Sequence, residues 1–254
     1  MFGLLKNYLC SSRLDANRTQ EGDYLCLIEI RSLYKGDMLK PIRWKTFPRD
    51  FFVIQIGFLL YGLSIALAIR ANLGTGTWAV LDVALSKLTG WTPGTLTVLV
   101  GFVVLVSALL MREQIGWGTL GNILSIGPWL DLALYFIPPV ENNWPIQLLM
   151  LLTGILIQGI ATAIYIGVDA GAGPRDSLML AVKRTTGISY RLARGIIEVT
   201  VLVIGWLLGG PAGIGTAIHA LLVGTAMQWA FKVFKVQPHR AQESEPLPAE
   251  SSAD

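Results

Sequence analysis

One membrane-type unit is written twice in this chain. Displaced by 97 positions, residues 54–134 lie on residues 151–231 without a gap. Gly57 falls on Gly154, Gly62 on Gly159, Gly74 on Gly171 and Gly76 on Gly173. Thr89-Gly90 falls on Thr186-Gly187, and Val104-Leu105-Val106 on Val201-Leu202-Val203. Gly116, Gly118 and Thr119 fall on Gly213, Gly215 and Thr216, and Gly127 on Gly224. Roughly a quarter of the aligned positions are identical, and most of the rest exchange one apolar residue for another. Glycines that recur at fixed offsets mark recurring backbone geometry. Duplicated membrane units are the plan of many transporters, where the substrate lies between the halves.

Hydrophobic residues make up 53% of the 254-residue chain and charged residues only 15%. A soluble domain carries about 25% charge, so the balance is that of an integral membrane protein. Lys40, Arg43, Lys45 and Arg49 precede the first apolar run, and Lys232 and Lys235 follow the last. By the positive-inside rule both ends are cytoplasmic. The net charge of +3 thus describes topology. No basic patch is combined with stacking aromatics as a nucleic-acid site would require. Cys10 and Cys26 both lie in the leader, where a disulfide is not expected, and two cysteines make no metal site. The leader, residues 1–47, is polar and mixed in charge, unlike a cleaved signal. Met38 offers an alternative start just before the basic run, in which case residues 1–37 would be an artefact of the assigned start. Residues 237–254, rich in Pro, Glu, Ala and Ser, are expected to form a disordered cytoplasmic tail.

A spanning helix needs about 20 mostly apolar residues. Phe51 to Arg70, Thr95 to Met111, Thr119 to Ile137, Ile146 to Val168, Leu192 to Leu208 and Thr216 to Phe231 qualify. The expected fold is all-α and polytopic, with one repeat over 48–137 and a second over 146–232. Each repeat has three spans and one segment too short to cross: Trp78 to Thr89 and Arg175 to Thr186. If the short segments are re-entrant or interfacial, the halves are inverted. If they cross, the chain has eight spans and the halves are parallel. The six-span arrangement places Arg112, Arg175, Lys183, Arg184, Arg191 and Arg194 inside, so charge and length both favour inversion.

The segments most able to carry chemistry are the two Gly-rich turns. These are Gly74-Thr75-Gly76-Thr77-Trp78 and Gly171-Ala172-Gly173-Pro174-Arg175-Asp176. Pro174 suits a first helical turn, and Thr75 or Thr77 could cap the first short helix. A helix N-terminus at membrane depth presents free N–H groups and a positive dipole, as broken transporter helices do to anionic groups. Gly74, Gly76, Thr77, Gly171, Gly173, Arg175 and Asp176 are therefore candidate substrate contacts, for a small anionic solute. Close helix packing by the glycines is the alternative reading. The alternative reading of Asp176 is a capping carboxylate paired with a neighbouring arginine, and Asp82, one turn into the first short helix, could play a similar part. Glu198 stands inside an apolar span, with Arg194 four residues earlier and Arg191 one turn before that. An intramembrane carboxylate is costly, and a coupling or gating pair and a static salt bridge both fit it. Gly101 is the matching residue of the first half, so this chemistry is not repeated. His219 lies opposite Asn122 and reads as a packing group. No Ser/His/Asp set, metal cluster or phosphate-binding loop is present in the sequence, so an enzyme is not expected and no cofactor is implied.

These residues resemble the YczE/YitT type of bacterial membrane protein. The resemblance is carried by Ala71 to Trp78, Gly171 to Asp176, Arg191 to Thr200, and Gly205-Trp206-Leu207-Leu208-Gly209-Gly210 leading to Gly213-x-Gly215-Thr216. It covers about residues 48–232. The first half departs from the pattern, with Thr77 and Ala79 where Pro and Asp would stand. The resemblance implies a bacterial inner-membrane protein in the lipid bilayer and names no substrate. Two function classes follow: a small-solute or ion transporter with its site between the Gly-rich helix starts, or a membrane scaffold for a partner.

Overall fold

A computed structural model describes residues 44–113, 115–171 and 173–236. The leader up to residue 43, with Cys10 and Cys26, and the tail from 237 lie outside the described residues. Among the described residues the chain forms eight α-helices: α1 (Phe47–Arg70), α2 (Thr77–Thr89), α3 (Pro93–Leu110), α4 (Trp117–Phe136), α5 (Trp144–Gly167), α6 (Pro174–Thr186), α7 (Tyr190–Leu207) and α8 (Ile214–Val233). Their lengths run 24, 13, 18 and 20 residues and then 24, 13, 18 and 20 again.

Local chemistry sets the helix ends. Thr92, Asn143 and Ser189 accept backbone N–H bonds at the starts of α3, α5 and α7. Pro48, Pro93 and Pro145 occupy first turns, where no N–H is needed. These caps start the helices about two residues ahead of the apolar runs. Gly90 and Gly187, at φ 77° and 73°, end α2 and α6 in the left-handed conformation. The cap of α2 corrects one expectation. Gly76, not Thr75 or Thr77, is the N-cap and supplies no side-chain bond, because Thr77 is already the first helical residue.

Four helices, α1, α3, α5 and α8, are long and apolar enough to cross a membrane. The sequence favours six. The charges of Arg191, Arg194 and Glu198 lower the apolarity of α7, and Asn122, Ser125 and Asp131 lower that of α4. At about 1.5 Å per residue, the 13-residue α2 and α6 are roughly 20 Å long, well short of a hydrocarbon core of about 30 Å.

The centre is the crossing of α1 and α5. Gly57 lies against Ala161, Ile164 and Tyr165, whereas Gly154 lies against Ser64, Leu67 and Ala68, so the two helices run antiparallel. By contrast α1 and α4 run the same way. Phe47 meets Trp117 at their first turns, ring centroids 5.0 Å apart, and Arg70 donates to the Leu134 carbonyl near their ends. Ile54, Phe58, Ile65, Ile126 and Leu130 form the core of this packing.

Candidate functional site

The turns before α2 and α6 are held by crossed joints. The Leu73 carbonyl accepts from Gly215 N at 2.7 Å, and the Ala170 carbonyl accepts from Gly118 N at 3.0 Å. Each half thus docks its turn on the start of the other half's last helix. Gly74 and Gly171, at φ 109° and 124°, need the conformational freedom of glycine there. A Cβ on Gly74 would lie 2.7 Å from Gly213 N, and one on Gly171 would lie 2.7 Å from the Gly116 Cα.

These joints aim both short helices into one polar cavity of about 120 Å³, room for about four waters at roughly 30 Å³ each. Gly76, Thr77, Gly173, Arg175, Asp176, Arg194 and Glu198 are on its wall. Gly74 and Gly171 are not; they pack in the joints. Arg191 is exposed and also off the wall, one turn beyond the reach of the cavity. Of the residues expected at the site, the structure therefore brings seven together and leaves three aside.

The charges of the wall are paired, some across elements and one pair within α7. Arg175 Nη2 of α6 lies 3.6 Å from Asp82 Oδ2 of α2, and its guanidinium stacks 4.7 Å from the Trp78 ring centroid. Thr97 Oγ1 of α3 donates to the same Asp82 oxygen at 2.8 Å. The first half, lacking an acid at Ala79, thus brings a carboxylate to the site one turn later. Arg194 Nε donates to Glu198 Oε1 at 2.9 Å. Tyr190 OH donates to Asp176 Oδ1 at 3.3 Å. The carboxylate of Asp176 also comes within 3.5 Å of where a Cβ on Gly173 would be, so it meets the positive end of α6.

A neutral chain completes the wall. His219 Nε2 donates to Gln158 Oε1 at 2.7 Å, since a carboxamide oxygen can only accept. Gln158 Nε2 donates in turn to Tyr61 OH at 3.1 Å. His219 packs against the start of α2, its ring 2.8 Å from where a Cβ on Gly76 would be. Asn122 holds the matching place beside Gly173. Sequence reasoning passes over Tyr61 and Gln158, and takes Trp78 only as part of the first Gly-rich segment. A signal for them exists in the offset: Tyr61 and Gln158 are 97 residues apart and touch, as are Trp78 and Arg175.

Away from the cavity, the last turn of α6 meets the end of α3. Arg184 donates to the Met111 carbonyl and pairs with Glu113 at 3.3 Å. Partial burial raises the Glu113 carboxyl above its ordinary range, and Arg184 opposes this. In the matching place Lys87 of α2 donates to the Gly209 carbonyl at the end of α7.

The fold and site define an all-helical membrane protein with a polar cavity at its centre. A profile described as a family of unknown function, DUF6198, matches residues 48–232, and the chain belongs to that family. It is similar to an uncharacterized protein of Haemophilus influenzae, 31% identical over 189 residues, which cover 72% of this chain and 86% of the relative. It is also similar to the uncharacterized membrane protein YczE of Bacillus subtilis, 28% identical over 190 residues, covering 74% and 85%. The uncharacterized protein YyaS of the same organism is 30% identical over 172 residues, covering 66% and 86%. No solved structure matches the chain significantly.

Proposed function

We propose that the protein is a small-solute or ion transporter of the bacterial inner membrane, not an enzyme, with its site between the starts of α2 and α6. The observation that carries this reading is the antiparallel crossing of α1 and α5 beside a shared polar cavity. The helix bounds of the two halves differ by 97 throughout, so α1 and α5 are equivalent helices. Equivalent helices that run antiparallel belong to inverted repeats, the plan in which broken helices meet at a midplane site. The shared direction of α1 and α4 supports the same conclusion. It requires α2 and α3 together to make one crossing, so each half has three spans and a re-entrant short helix. Both termini are then cytoplasmic, and α6 sits on the cytoplasmic side.

The solute is a small anion. The first turn of α2 carries no acid and opens on the cavity beside Arg175, whereas α6 supplies its own Asp176. A free positive helix end next to a guanidinium favours a negatively charged group.

Two measurements test this reading. In a chain with Cys10 and Cys26 replaced by serine, single cysteines at Ser86 and Lys183 should react with an impermeant thiol reagent from opposite sides of the membrane. Reaction of both from the cytoplasm would end the inverted arrangement and favour the scaffold. In proteoliposomes, uptake of radiolabelled phosphate or lactate should exceed that of empty vesicles and disappear in Glu198→Gln at unchanged folded yield. The Arg194–Glu198 pair is about one-third exposed, and such pairs contribute at most about 1 kcal/mol to stability. A loss of yield without a specific loss of uptake would make Glu198 structural.

A further inference from the structure

The two halves are not equally closed. In the first, α4 is latched onto α3. Asp131 accepts from Gly94 N at 2.8 Å and from Thr92 Oγ1 at 2.5 Å, capping the start of α3. A Cβ on Gly94 would lie 2.2 Å from the Gly127 carbonyl, and one on Gly127 would lie 2.6 Å from Val98 Cγ2. A Cβ on Gly101 would sit 3.7 Å from that of Ile123. Backbone lies against backbone where Gly94 meets Gly127, and side chains fill the rest of the seam.

The positions 97 residues later are packed loosely. Gln228 stands where Asp131 would be, and a glutamine cannot bring the charge of that latch. Gly195 and Gly224 replace Val98 and Gly127, and nothing lies within 4 Å of where a Cβ on either would be. The helices α7 and α8 pack only marginally on each other, and only Ala193 and Gly205 of α7 are buried. The cavity wall nevertheless reaches this seam through Glu198 on α7 and Ala220 and Val223 on α8.

We propose that the α7–α8 seam is the open gate of the cavity, that the α3–α4 seam is its closed gate, and that the two exchange. This rests on the transporter reading above. In the second state α7 and α8 close along the stretch that matches Val98, Gly101, Ile123 and Gly127, with Gly195 against Gly224 and Ala220 against Glu198. Gly195, Ala220 and Gly224 permit it, because small side chains let membrane helices approach closely. Arg191, at the place of Gly94, keeps the first turn of α7 farther from α8 than α3 is from α4. Packed seams of this kind are bistable, not continuously deformable. Closure would shut Glu198 from water, and a buried carboxylate needs a partner already in place. Arg194, at 2.9 Å, is that partner. With α7 starting on the cytoplasmic side, the described state is open to the cytoplasm.

Paired cysteines test the exchange, in the chain lacking Cys10 and Cys26. Gly101→Cys with Ile123→Cys should oxidise readily, since 3.7 Å matches the Cβ separation of about 3.8 Å in disulfides. With that link made, a third substitution, Gly224→Cys, should stay open to an impermeant maleimide from the cytoplasmic side. Conversely, linking Gly195→Cys to Gly224→Cys should expose a reporter at Ile123, now 2% accessible, to maleimide from the opposite side. A state populated to 10% or less before linking makes that labelling rise about tenfold or more. Val98→Cys is the alternative reporter if Ile123→Cys lowers the yield. A Gly195→Cys/Gly224→Cys pair that never links, or a reporter that stays protected after linking, overturns the exchange. Phosphate or lactate uptake that persists in both linked proteins would overturn the gates and leave the transporter reading intact. Exchange of labelling without uptake would do the reverse.

Discussion

Replacing Gly116 with alanine should leave little folded protein in the membrane. The backbone there, φ −100° and ψ 163°, is open to any residue, so conformational strain is not the cause. Space is the cause. The added Cβ would lie 1.9 Å from the Ala170 carbonyl oxygen and 2.7 Å from the Gly171 Cα. Both are backbone atoms of the crossed joint, and the bond from Gly118 N to that same carbonyl holds them in place. Overpacking costs about 1–3 kcal/mol where neighbours can move, and more where they cannot. Against a total stability of roughly 5–15 kcal/mol, a cost at or above the top of that range is severe. Gly224→Ala is the control. It is helical with open space around its Cβ, and alanine is favoured over glycine in a helix by up to about 1 kcal/mol. Fluorescence-detected size exclusion in detergent would give the yield and melting temperature of each. Wild-type behaviour of Gly116→Ala would mean that the joint is not closed as described.

The second large effect is expected at Arg175. Arg175→Gln should destabilise the fold by roughly 2–4 kcal/mol, at the lower end for a broken buried pair because the arginine is partly exposed. Asp82 is the reason. Its side chain is 3% exposed, one oxygen is shared by Thr97 and Arg175, and the other has no partner. Without the guanidinium a carboxylate remains buried with a single hydroxyl. Adding Asp82→Asn to Arg175→Gln removes that charge and should restore most of the loss. Asp82→Asn alone should be milder, because Arg175 can turn toward the cavity water. A double variant as unstable as Arg175→Gln would show that the pair is not what holds α2 to α6.

The helix ends are legible in the sequence because they are local events. Pro93, Pro174, Gly90 and Gly187 set their own backbone wherever they occur. Early starts at Phe47, Pro93 and Trp144 are harder to read, since a cap extends a helix beyond its apolar stripe. Arg175, Asp176, Arg194 and Glu198 are legible as site residues because a charge within an apolar run is too costly to be incidental. Their partners are not. Asp82 and Arg175 are 93 positions apart, and only the meeting of α2 with α6 joins them. Gly74 and Gly171 look like wall residues from their motif, yet the crossed joints use them for packing. The unequal seams cannot be read from Gly127 and Gly224, which are the same residue in the same register. What differs is the surroundings: Val98 and a latching Asp131 in one half, Gly195 and Gln228 in the other.

The crossed joints also impose an order on biogenesis. Leu73 leaves the ribosome 142 residues before Gly215, the group that completes its hydrogen bond. At about 5–20 residues per second, that interval is roughly 7–28 s. Throughout it the first half sits in the bilayer with an unmet backbone carbonyl and no lid over its turn. The nascent chain is most vulnerable to membrane proteases in that window, and its last helix is the one that closes it.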